Sequence, residues 1–166
     1  MQETFRIYKA EKKDARQIAE LAILMWEDNT VEGLAEEFAG ILENGVVFLA
    51  EEMTEAPDKE NFPAKEKPSE PKVVAFAQCQ LRHDYVEGTD TSPVGYLEGI
   101  FVREGYREQG LARQLLATCE AWATEQGCTE FASDCELTNT VSQEFHKKLG
   151  FEEANRIVCF VKKLGK

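Results

Sequence analysis

The spacing of apolar residues changes several times along this chain, and each change predicts an element. Phe5-Arg6-Ile7-Tyr8 alternates as a strand does. Residues 14–26 then place Ala15, Ile18, Ala19, Leu21, Ala22 and Met25 on one side of a helix. A second helix is expected over 31–42, with Leu34, Phe38, Ile41 and Leu42 on one face. Asn44-Gly45 would close it, with Gly45 as a left-handed cap. The run Val46-Val47-Phe48-Leu49-Ala50 reads as a strand. From Met53 to Lys72 the pattern stops: Pro57, Pro63, Pro68 and Pro71 interrupt a stretch rich in Glu and Lys, which predicts a mobile, solvated insertion.

Strands are expected again over 72–82 and 94–102, joined by a loop holding Gly88, Thr89 and Pro93. Residues 110–126 form a helix in this reading, with Leu111, Leu115, Leu116, Cys119 and Trp122 buried and Gly127 as its cap. A strand over 129–133, a helix over 139–149 ending at Gly150, and a closing strand over 157–161 complete the chain. The order β-α-α-β-β-β-α-β-α-β predicts one domain over 1–166. Its class is α/β, in the α+β sense of a central mixed sheet flanked by helices.

A formal charge of −12 argues against nucleic acid as a partner, since phosphate binding wants a basic face. It suits a cationic substrate, although charge by itself is more simply read as acidity for solubility. No apolar run reaches the ~20 residues of a membrane helix. Met1-Gln2-Glu3-Thr4-Phe5-Arg6 lacks the profile of a signal peptide, so a cytoplasmic location is expected. The cysteines at 79, 119, 128, 135 and 159 are odd in number and lack metal-type pairs. They read as small buried hydrophobes rather than a disulfide framework or a zinc site, with Cys135 singled out because it adjoins Asp134.

The stretch 98–112 carries the most chemistry. A strand runs into a loop, and the loop opens a helix whose first amides lack internal partners and, with the helix dipole, form an anion site. Gly110 and Ala112 keep the approach open, while Arg107, with Arg103 and Arg113, adds positive charge to an acidic chain. Neither GxxxxGK[ST] nor GxGxxG occurs.

Arg107-Glu108-Gln109-Gly110-Leu111-Ala112 matches [RQ]xxGx[GA], and Asn139 is followed in order by Phe145-His146-Lys147-Lys148-Leu149-Gly150-Phe151. In both blocks the chain resembles the GNAT superfamily of N-acetyltransferases. The resemblance implies acetyl-CoA as co-substrate and no metal. It implies that the pantetheine arm pairs with the backbone of Ile100, Phe101 and Val102. Arg107, Glu108, Gln109, Gly110, Leu111 and Ala112 would hold the pyrophosphate, and Asn139 would hydrogen-bond the pantetheine. His146 stands where the superfamily often has the tyrosine that protonates the departing thiolate. A proton donor and a surface residue beside two lysines both remain open for it.

The stretches 81–94, 96–102 and 128–134 resemble more narrowly the aminoglycoside 6'-N-acetyltransferases, enzymes that act on polycations and confer antibiotic resistance. By that resemblance Trp26, Tyr85, Glu98 and Asp134 would line the sugar pocket, Glu98 or Asp134 would take the proton from the amine, and the enzyme would be a homodimer. Asn155 stands where an acid is expected. Another small polyamine as acceptor, or a non-catalytic acetyl-CoA-binding module, are the rival readings.

Overall fold

A computed structural model describes residues 5–53 and 71–165. The insertion expected over 53–72 lies almost wholly outside the described residues. Five strands form one sheet in the order β1-β2-β3-β4-β5. They are β1 (Phe5–Lys9), β2 (Val46–Glu52), β3 (Lys72–Arg82), β4 (Val94–Val102) and β5 (Phe131–Ser133). The first four are antiparallel neighbours, and β5 lies parallel to β4, so the sheet is mixed as expected.

Two helices cover one face, α1 (Ala15–Ala22) and α2 (Val31–Asn44); α3 (Leu111–Glu125) covers the other. The strands are buried on both faces, which is why they read as nearly continuous apolar runs. In β2, Val47 and Leu49 join Ile18, Leu21, Leu34 and Phe38 under α1 and α2. The alternate residues Val46, Phe48 and Ala50 join Leu111, Leu115, Leu116 and Cys119 under α3. Among the described residues the last regular element is α4 (Thr140–Lys148).

Four expectations need correction. The first helix stops at Ala22; Met25 and Trp26 both turn back to the carbonyl of Ala22 at 2.9 Å, and Trp26 leaves the helix axis to pack on Phe38 and Phe76. Gly45 is extended (φ −113°, ψ −173°), because β2 starts at the next residue and leaves no room for a left-handed cap. A Cβ at Gly45 would come within 3.2 Å of the Ile41 carbonyl, which accounts for the glycine. The closing strand does not form: residues 157–161 pair with nothing described, and Phe160 and Val161 are each 93% exposed. Cys159 is exposed with them and Cys135 is half-buried, so only Cys79, Cys119 and Cys128 behave as buried hydrophobes.

The start of β4 is packed tightly. A Cβ at Gly95 would meet Phe131 at 2.5 Å and Ala123 at 2.6 Å, wedged between β5 and α3. Gly95→Ala is therefore expected to destabilise the fold by about 1–3 kcal/mol through overpacking. Urea unfolding checks this; an unchanged midpoint would mean that the packing gives way freely.

Candidate active site

Two irregularities in β4 create the site. Its pairing with β5 ends at Leu97↔Ser133, so the β5-facing edge of Gly99, Ile100, Phe101 and Val102 has no strand partner among the described residues. Its pairing with β3 skips a residue: Gln78 faces Gly99 but Cys79 faces Leu97, which leaves Glu98 as the extra residue of a bulge. Bulges re-aim side chains and break a ladder locally. The bulged carboxylate thus sits where β4 and β5 begin to part. The free edge at Ile100, Phe101 and Val102 is the one that the family resemblance would pair with a pantetheine arm.

Beyond β4, residues 107–110 lead into α3 with two left-handed residues, Glu108 (φ 64°) and Gly110 (φ 78°). Such a turn orients backbone N–H groups together. The first amide to close onto it is that of Gln114, 3.1 Å from the Gly110 carbonyl, so the amides of Leu111, Ala112 and Arg113 have no helical acceptor. A Cβ on Gly110 would meet nothing within 4 Å, so the mouth of this cradle is open. The arginines are used otherwise. Arg107 donates from Nε to the Val102 carbonyl at 3.1 Å, bracing the loop, and Arg113 donates from Nη2 to the Lys148 carbonyl at 3.0 Å at the end of α4. Gln109 reaches the Gly105 carbonyl at 3.4 Å. The cradle therefore rests on backbone donors, and its residues fit a diphosphate.

Asn139 is the N-cap of α4, its Oδ1 accepting from the Ser142 amide at 3.0 Å. Capping uses the carbonyl and leaves the side-chain NH2 for another partner.

The two candidate carboxylates belong to one network. Glu98 Oε1 accepts from Nη2 of Arg82 at 2.8 Å and also from the Gln80 side chain. The Arg82 guanidinium lies 3.4 Å from the centroid of the Tyr96 ring, within the range of a cation–π contact. The Tyr96 hydroxyl donates to Asp134 Oδ1. Burial, then the Asp134 carboxylate, pushes the Tyr96 phenol well above its ordinary range, so it stays a donor near neutral pH. Gln80, Arg82 and Tyr96 were not singled out by sequence; alternation along paired strands β3 and β4 places them on one face with Glu98.

His146 is half-buried between Phe145 and Phe151 rather than on the surface. Its Nδ1 lies 2.7 Å from the Ser142 carbonyl, an atom that only accepts, so Nδ1 carries a proton. Its Nε2 lies 2.9 Å from Ser133 Oγ, which lies 3.1 Å from the Leu97 carbonyl. The Ser133 hydroxyl can give its single hydrogen to Leu97 or to His146. In the first arrangement Nε2 donates and the ring is cationic; in the second it accepts and the ring is neutral. Ser133 closes the parting of the strands, so this chain ends inside the site. Sequence offered no signal for Ser133.

Trp26 lies over the bulge region, its ring 3.6 Å from where a Gly99 side chain would be, and helps line a shallow pocket with Met25, Glu27, Asp28 and Asn29. Tyr85 is 80% exposed on the loop after β3 and donates to Glu87 Oε2 at 2.6 Å. No described contact joins Trp26 or Tyr85 to Glu98 or Asp134. Asn155 donates to Glu87 Oε1 at 2.7 Å. An acid at 155 would face Glu87 with like charge, so the amide ties the C-terminal segment to this loop. Among the described residues no group of three His, Cys, Asp or Glu could hold a metal ion.

A strand parted from its neighbour beside an anion cradle defines an acyl-CoA-dependent acyltransferase fold, and comparison with known proteins specifies it. Residues 17–151 match the family model described as Acetyltransferase (GNAT) family. The chain belongs to the GNAT acetyltransferase family. It is 38% identical to an aminoglycoside N(6')-acetyltransferase type 1 of Stenotrophomonas maltophilia over 93% of this chain and 90% of that one. It is 48% identical to the enzyme of the same name from Salmonella typhimurium over 55% of this chain, an alignment spanning 63% of that relative's length. Among solved structures, AAC(6')-Iy in complex with the bisubstrate analog CoA-S-monomethyl-acetylneamine superposes with a TM-score of 0.80 at 32% identity, over 98% of this chain and 100% of the other. The AAC(6')-Ih of Acinetobacter baumannii superposes with a TM-score of 0.80 at 32% identity, over 97% and 99%.

The loop that carries Tyr85 is anchored by Glu130, whose carboxylate accepts from the amides of Asp90 at 3.0 Å and Thr91 at 2.8 Å, and from the Thr91 hydroxyl. The Thr91 hydroxyl, then the Asp90 amide, holds this carboxyl below its ordinary value of about 4.5. A depressed folded value stabilises above the unfolded value and is lost as pH falls through the folded one. Glu130→Gln is accordingly expected to lower the melting temperature at pH 7, with the difference from wild type closing as the pH falls below the ordinary carboxyl value and through the lowered folded one. Circular dichroism melts across that range check it; a pH-independent deficit would assign the anchor to shape rather than charge.

Proposed function

We propose that this chain is an aminoglycoside 6'-N-acetyltransferase, moving the acetyl group of acetyl-CoA to the 6'-amine of a polycationic aminoglycoside in the cytoplasm. The observation that carries this reading is the meeting, where β4 parts from β5, of a free strand edge, an open amide cradle and the Glu98–Asp134 network. The likeness to the Stenotrophomonas maltophilia relative over nearly the whole chain supports the same acceptor.

In this reading the acyl-CoA arm pairs with Ile100, Phe101 and Val102, and its pyrophosphate lies on the amides that open α3. Arg107 and Gln109 hold that loop from behind. The acceptor amine approaches the carboxylates. Glu98 Oε1 takes three N–H groups, two from Arg82 and one from Gln80; Glu98 or Asp134 receives the ammonium and then its proton, directly or through water. The amine attacks the thioester carbon, the carbon–sulfur bond breaks, and the thiolate leaves. With Nε2 as donor, His146 returns a proton to it through Ser133: the hydroxyl gives its hydrogen to the sulfur and takes the one on Nε2. Juxtaposition of amine and thioester supplies much of the rate.

Turnover of acetyl-CoA should appear with aminoglycosides that carry a 6'-amine and be absent with those that lack it. Asp134→Ala should reduce acetylation at least about tenfold while acetyl-CoA affinity, read by calorimetry, stays within about threefold. Equal loss of both would contradict the assignment of Asp134 to the acceptor.

The same reading has the enzyme working as a homodimer. Support lies in the tail: Ile157-Val158-Cys159-Phe160-Val161 is an uninterrupted apolar, β-branched and aromatic run, the composition of a strand buried on both faces. It stands in water, although covering a Phe or Val side chain is worth about 1.5–3 kcal/mol each. Among the described residues the outer edge of β5 has no strand partner, and in this reading the tail of a second copy pairs there. Light scattering should give a dimer for the wild type and a monomer for Phe160→Asp; a monomeric wild type at working concentration would overturn the arrangement.

A further inference from the structure

We propose that Arg82 is a specificity-determining residue: its guanidinium is a resident cation in the acceptor site, seated where an incoming ammonium would sit, and substrates must displace it from Glu98. The inference rests on the acceptor reading above and goes beyond it, since it concerns which amines are refused.

The geometry is that of an occupied cation site. Arg82 donates to Glu98 Oε1 from Nη2 at 2.8 Å and from Nε at 3.3 Å, and its plane lies 3.4 Å from the Tyr96 centroid. Carboxylate on one side and aromatic face on the other is the pair of contacts by which proteins bind ligand cations. Tyr96 in turn holds Asp134, so the guanidinium is linked to both carboxylates proposed to receive the amine, to Glu98 directly and to Asp134 through the tyrosine. The side chain of Arg82 is 37% exposed and that of Glu98 22%, so both are open to a ligand from solvent and partly desolvated. Gln80 donates to the same oxygen, so Glu98 keeps its position when the arginine swings away.

The consequence is selective. A small amine brings one or two charges and little else, and it meets a carboxylate already neutralised. An aminoglycoside brings several ammonium groups and a large sugar surface, so it gains contacts elsewhere that offset displacement of the arginine. Arg82 thereby acts against simple amines, which are the competitors an open acidic cleft would attract. Specificity of this kind comes from penalising the wrong partner rather than improving the right one.

The test compares wild type, Arg82→Gln and Arg82→Lys with two acceptors, kanamycin and 1,4-diaminobutane, reading kcat/KM for each by CoA release. In Arg82→Gln the ratio of kanamycin to diamine should fall by at least about tenfold, through a gain on the diamine, and Arg82→Lys should keep the ratio within about threefold of wild type. A smaller fall, a rise, or a fall produced only by loss on kanamycin overturns the proposal. If Arg82→Gln does not fold, judged by melting and acetyl-CoA binding, the wild type decides. Its Arg82 Nε–H resonance, identified by its loss in Arg82→Lys, should shift on titration with kanamycin and not with sodium chloride of equal ionic strength; an unmoved resonance overturns it. A wild type inactive on every aminoglycoside would sink the acceptor reading, whereas an active wild type with an unmoved ratio sinks only the role of Arg82.

Discussion

Backbone hydrogen bonds that are not made organise this molecule. A parallel pair of strands normally continues until one of them ends, yet β4 runs on for five residues after its pairing with β5 stops at Leu97. Buried or half-buried peptide groups left without partners are costly, so such an edge persists only if something else satisfies it. Every feature of chemical interest gathers around that unfinished ladder. The bulge at Glu98 lies one residue beyond the last pair, the Ser133 hydroxyl caps the end of β5, and α3 begins its exposed amides just past the end of the free edge.

The chain also shows how an acidic protein can offer a seat to an anion. With a formal charge of −12 it cannot rely on its overall field. Local dipoles replace it: backbone N–H groups oriented by two left-handed residues act at short range, where distant carboxylates are screened. Arg107 and Arg113, which look like the obvious counter-ions, are spent on the Val102 and Lys148 carbonyls and serve as braces. The acidic face is handled in the opposite way, with Arg82 held between the Glu98 carboxylate and the Tyr96 ring.

Much of the fold was legible because both helix faces and the central strands are strongly periodic. Strands 72–82 and 94–102 were read to the residue, since apolar runs flanked by polar loops leave little choice. The errors have local causes. Trp26 could not be seen leaving its helix, because the attraction comes from Phe38 and Phe76, distant in sequence. The tail at 157–161 has every local mark of a strand, and its composition says nothing of which edge it should meet. The cradle at 107–112 was legible because its function lies in consecutive residues. Arg82, Gln80, Ser133 and Glu130 were not, because each acts through a cross-strand or cross-loop partner, and spacing within one strand does not reveal what faces it from the next.

The contact between the tail and the loop after β3 has a further consequence. A Cβ at Gly88 would sit 2.3 Å from Ala154, and Asn155 grips Glu87, the partner of Tyr85. These are the last described contacts between the loop and the tail before the bare apolar run, so any load on that run reaches the loop through the Asn155–Glu87 hydrogen bond and the Gly88–Ala154 approach. Sharing of tails between copies would thus make the shape of the loop after β3 a function of protein concentration. Catalytic constants taken at high dilution and those taken near cellular abundance would then describe two different enzymes.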